Sequence, residues 1–165
     1  MFTVLIYIAA IVAANLSIAA FGPWVSPINA FLLIGLDLTL RDHLHDAWRG
    51  RQLWPRMLAM IAVAGAVSYL LNPAAGVIAI ASMVAFCCAN LVDAAAYHLM
   101  RGRSFLQRAN YSNAAGALAD SLIFPTIAFG SFLPEIVAMQ WGAKVAGGAL
   151  WAAAIWYFIP RKATA

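Results

Sequence analysis

Apolar stretches long enough to cross a bilayer recur along the whole chain, separated by proline, glycine or clustered basic residues. A run of about 20 residues coiled at about 1.5 Å per residue matches the roughly 30 Å hydrocarbon thickness. Inside hydrocarbon every backbone N–H and C=O must find a partner within the protein, so runs of this length and composition have to be helices. Composition agrees: 65% of the 165 residues are hydrophobic and 10% are charged, against about 45–50% and about 25% in globular domains. Too few polar residues are available to cover a water-facing surface. The expected fold class is all-α, a polytopic membrane protein with a single six-helix domain over residues 1–165.

Breaks in the pattern place the spans at about 2–21, 24–40, 54–71, 74–99, 113–129 and 135–159. Gly22-Pro23 ends the first, Pro55 lies in the first turn of the third, and Asn72-Pro73 closes it. The first run has no Lys or Arg ahead of it and is long for a signal-peptide core, so it reads as a retained span. Arg41, Arg49, Arg51, Arg56, Arg101, Arg103, Arg108, Arg161 and Lys162 all fall on one side of this topology, which leaves Lys144 as the exception. The positive-inside rule makes that side cytoplasmic, with both termini on it. The +4 net charge is therefore a topology signal, and no nucleic-acid partner is expected.

Polar residues at membrane depth are costly, at about 2.5–3.5 kcal/mol for a charge at a helix centre, and normally serve a purpose. Asn15 lies in the first span. Asp37 and Arg41 have the spacing of an i, i+4 ion pair at the cytoplasmic end of the second. Asn90 and Asp93 share a face of the fourth span, Asn113 and Asp120 a face of the fifth, and Lys144 stands in the sixth with Gln140 one turn before it. Asp93, Asp120 and Lys144 should turn inward, either as a cluster that holds the bundle or as a ligand site. Asp42, His43, His45 and Asp46 are metal-ligand types, but they lie in an arginine-rich loop without a thiolate, so no metal and no cofactor are expected. Cys87 and Cys88 are adjacent in an apolar run and read as small packing residues. No nucleophile elbow, phosphate loop or zinc-protease motif is present, so the chain is not expected to be an enzyme.

Several blocks, taken in order, resemble the queuosine precursor transporter family, also called the vitamin-uptake-like transporter family. They are Pro27-Ile28-Asn29 through Gly35-Leu36-Asp37-Leu38-Thr39-Leu40-Arg41; Ala81-Ser82-Met83-Val84-Ala85-Phe86 followed by Asn90-Leu91-Val92-Asp93; Asn113 to Asp120-Ser121-Leu122-Ile123-Phe124; and Trp141-Gly142-Ala143-Lys144-Val145. Ala14-Asn15 echoes the asparagine of the family's first helix. Two departures stand out: the chain is shorter than many members, and Asn90 stands where many carry Gln.

The resemblance implies a six-helix inner-membrane protein that imports 7-deazapurine precursors of the tRNA base queuosine, 7-cyano- and 7-aminomethyl-7-deazaguanine. That substrate suits the residues. A carboxylate such as Asp93 or Asp120 accepts two side-by-side N–H donors from a guanine-like edge. Asn15, Asn90 and Asn113 can both donate and accept, and Phe86 or Phe124 can stack on the ring. Two alternatives remain open. The chain could be the substrate-binding subunit of an energy-coupling-factor-type vitamin importer, docked on its partner, or on a second copy, through the Ala-rich first helix (Ala9/Ala13, Ala10/Ala14). It could instead be a membrane enzyme acting on lipid-linked substrates through its carboxylates.

Overall fold

The computed structural model describes residues 2–37, 39, 40, 44, 48 and 52–158, and among them every regular element is helical. α1 covers Phe2–Phe21 and α2 covers residues 23–37. α3 is Leu53–Leu71, α4 is Gly76–Leu99, α5 is Phe105–Phe129 and α6 is Pro134–Phe158. Local chemistry sets the breaks. Gly22 takes a left-handed φ of 75° and its N–H bonds the Ile18 carbonyl at 2.8 Å, which stops α1 just before Pro23. Asn72 ends α3, and its side chain accepts from the Ala74 N–H at 3.0 Å to open the 3-10 turn Pro73–Ala75 leading into α4. At the start of α5, Ser104 and Gln107 form a reciprocal capping box. That cap starts the helix two turns ahead of the apolar stretch, so part of the segment read as a basic turn is helical.

α2 is irregular. It opens as the 3-10 turn Pro23–Val25, continues as α-helix through Ser26–Asn29, and widens to a π-helix over Ala30–Ile34. π-turns of this kind occur mostly as single bulges and often lie at functional sites. The widened segment packs on α6, where glycines allow a close backbone approach. A Cβ on Gly35 would stand 2.7 Å from the Gly147 carbonyl carbon, and one on Gly147 would run into the Phe31 carbonyl oxygen. The Trp151 indole N–H seals the same contact by donating to the Leu32 carbonyl at 2.9 Å.

Neighbouring helices form a ring in the order α1–α3–α4–α5–α6–α2 and back to α1, with α4 and α5 packed most extensively. Gly116 permits the α4–α5 approach, lying against the Ala89 carbonyl and the Asp93 Cβ. Two apolar clusters fill separate parts of the ring. Tyr7, Ile11, Leu40, Met57, Met60 and Ile61 join α1, α3 and the residues after α2. Ile18, Ile78, Ala81, Ala85 and Phe124 join α1, α4 and α5. Large apolar side chains such as Phe21, Leu70, Leu91 and Leu99 point outward, as lipid-facing positions require. By length and apolar composition, Phe2–Phe21, Trp54–Leu71 and Pro73–Leu99 are long enough to cross a membrane. α5 and α6, at 25 residues each, carry more polar residues. Those residues build the interior described next.

Candidate functional site

α5 and α6 supply the centre of the polar interior. Lys144, only 3% exposed, sits on α6 and forms an ion pair with Asp120 of α5. Its ammonium also donates to Ser121 Oγ at 3.0 Å and to Gln140 Oε1, one turn earlier on α6, at 3.0 Å. The Gln140 amide donates in turn to Ser26 Oγ of α2. Three helices are thus joined by one charge-assisted network. Pro125 lies inside α5 one turn beyond Ser121. It has no N–H to offer the Ser121 carbonyl, so the ladder is interrupted beside the network.

A second polar node ties the opposite side of the ring. Asn15 of α1 donates to Ser68 Oγ of α3 at 3.2 Å and accepts from Ser82 Oγ of α4 at 3.0 Å; Ser68 passes its own proton to the Ala64 carbonyl at 2.8 Å. Asn29 of α2 donates to Ser17 Oγ at 2.6 Å and to the Ala14 carbonyl at 3.3 Å, fixing α2 against α1.

Two chambers border the Asp120–Lys144 pair, and the first also reaches Asn15, Asn29 and Ser82. The first is lined by Tyr7, Asn15, Asn29, Phe86, Phe124 and Gln140, among others. The second, about 350 Å³, lies among α2, α4, α5 and α6 and is lined by Asp93, Asn110, Asn113, Gly116 and Gly148, among others. Ile34, Asp37, Phe86, Asp120 and Lys144 line both. The Asp120–Lys144 pair therefore stands where the chambers meet.

The expected site residues separate accordingly. Asp37, Asp120 and Lys144 border both chambers, Asn15 only the first, and Asp93 and Asn113 only the second. Asn90 borders neither; it is buried and its amide donates to the Phe86 carbonyl on its own helix at 2.7 Å. The Asp37–Arg41 pair cannot be placed, because Arg41 lies outside the described residues, as do Asp42, His43, His45 and Asp46. Asp37 itself is buried. Among the described residues no group of three or more His, Cys, Asp or Glu converges as a metal site would.

Sequence reasoning left Ser26, Asn29, Ser121 and Gln140 out of the site. Gln140 carries a legible signal, since it stands one turn from the intramembrane lysine and shares its face. The serines carry none, because a serine in a helix usually bonds its own backbone.

The chemistry available is recognition. Asp120 gives one oxygen to Lys144, and an ionised carboxylate offers about four lone-pair sites, so acceptor capacity faces the chambers. Phe86 and Phe124 add flat apolar walls, and amides surround them. A family model described as "Putative vitamin uptake transporter" matches residues 1–159. No curated protein and no solved structure matches the chain.

Proposed function

We propose that this chain, which belongs to the vitamin uptake transporter family and is a membrane transporter, imports queuosine precursors, the 7-cyano- and 7-aminomethyl-7-deazaguanines. The observation that carries this reading is the position of Asp120, a carboxylate held by Lys144 at the junction of two chambers with aromatic walls. Asp120 accepts the paired N–H donors of the guanine-like edge, and a ring stacks on Phe86 or Phe124. Asn15 and Asn113 line the route on either side. A site that spends buried polar groups on a matched edge rejects purines lacking it. In this reading the protein lies in the inner membrane with six spans and both termini in the cytoplasm, and alternating access moves the ligand between the chambers.

The test is the queuosine content of tRNA in a host that neither makes nor imports the precursor, supplied with it in the medium. Queuosine should appear when this protein is expressed and be lost with Asp120→Asn at equal expression. Absence of queuosine with the wild-type chain in the membrane would refute the substrate assignment.

One observation keeps a second reading in play. Ala10 and Ala14 are buried within the ring, whereas Ala9 and Ala13 face outward, leaving a small-residue face on α1 on which an energising subunit could dock. Uptake by the purified chain alone in vesicles excludes an obligatory partner.

A further inference from the structure

Asp93 and Asp120 border the second chamber, and Lys144 is the basic residue of its lining among the described residues. An ammonium has three N–H donors. Those of Lys144 are committed to Asp120, Ser121 and Gln140. Turning toward Asp93 would strip Asp120 of its counter-charge.

Asp93 is held differently. Gly116 lets α5 close on α4 at the Asp93 Cβ, which sets the carboxylate at the wall between the two helices. Its Oδ1 is shielded from solvent and has no hydrogen-bond partner among the described residues. Such an oxygen costs free energy until something donates to it. Asn110 and Asn113 share the chamber, and neutral amides can solvate a carboxylate but cannot cancel its charge.

We propose that Asp93 is the counter-charge for a cationic group on the transported molecule, so that the second chamber selects ligands bearing an ammonium. This rests on the reading of the pocket given above and sharpens it. The two precursors share one guanine-like edge and differ at the substituent. An aminomethyl group is a protonated triple donor that answers Asp93. A cyano group is neutral and only accepts, so it gains nothing from a carboxylate. Asp120 reads what the precursors share, and Asp93 reads what separates them.

The test compares binding of the aminomethyl and cyano compounds to the purified full-length protein in lipid nanodiscs. The wild type should bind the aminomethyl form at least about tenfold more tightly, the scale of one charge-assisted hydrogen bond. Asp93→Asn should abolish that preference and leave cyano binding within about twofold. Asp93→Ser serves the same purpose should the Asn variant not assemble, and Asp93→Glu should keep the preference. Equal losses for both compounds, or no change for either, overturn the proposal.

Failure of both compounds to bind the wild type would instead refute the queuosine reading, and a ligand-independent measurement then decides. With Cys87→Ser, Cys88→Ser and Asn113→Cys, the thiol at 113 reports the local potential. Its modification rates by a trimethylammonium and by a sulfonate methanethiosulfonate reagent are compared. Asp93→Asn should lower the cation-to-anion rate ratio about tenfold, and an unchanged ratio overturns the proposal.

Discussion

Two polar nodes cross the helix ring, and they differ in what they leave over. At the first, Asn15, Ser68 and Ser82 join α1, α3 and α4 with neutral groups that answer one another and end on the Ala64 carbonyl. At the second, Lys144 joins α5 and α6 through a charge and places all three donors, while the carboxylate it holds keeps acceptor sites open to two chambers. A closed neutral node works as a helix clamp. An open charged one, in surroundings where ions are expensive, has the free acceptor sites that the proposed recognition role requires. Asn15, Asp120 and Lys144 were expected as one class of intramembrane polar residues, and it is the partners each finds that tell them apart.

The strongest way to break this contrast is to remove Lys144. Lys144→Met leaves Asp120 without its counter-charge, and removing one partner of a buried pair costs about 3–5 kcal/mol. Thermal unfolding of the purified protein should show it. The double variant Lys144→Met with Asp120→Asn should recover most of that stability and no precursor uptake. Recovery of uptake would make the pair a structural lock like the first node. Next in size is Gly147→Ala, whose added methyl meets the Phe31 carbonyl. Overpacking of this kind costs about 1–3 kcal/mol, and by moving α2 from α6 it should separate Ser26 from Gln140 and reduce uptake. The smallest effect belongs to the clamp. Ser68→Ala should lower stability by about 0.5–1.5 kcal/mol while the affinity for precursor stays within about twofold.

Much of this was readable from residue patterns alone. Apolar runs and their Pro, Gly and Asn breaks locate α1, α3 and α4 closely, because in lipid the backbone leaves helix as the one solution and the breaks are local chemistry. Asp120 and Lys144 could be singled out because each is too costly at depth to be incidental. What the pattern did not show depends on neighbours distant in sequence. Ser26 and Gln140 are 114 positions apart and meet only because α2 closes the ring against α6. The π-turn at Ala30–Ile34 has no periodicity signature of its own and lies at the glycine contact with α6. Asn90 shares a face with Asp93, yet its helix keeps its amide for Phe86. The basic turn near 100–112 yields to helix from Phe105 because Ser104 and Gln107 cap one another, a signal present in the residues themselves.

The most direct test of the claim that Asp120 reads the guanine-like edge pairs one mutation with one change in the ligand. Competition for uptake is measured between 7-cyano-7-deazaguanine and its analogue lacking the 2-amino group, in the wild type and in Asp120→Asn. The wild type should discriminate by about 10–100-fold, the range of a hydrogen bond to a charged acceptor, and Asp120→Asn should take both poorly with little difference between them. Undiminished discrimination by Asp120→Asn would contradict the account.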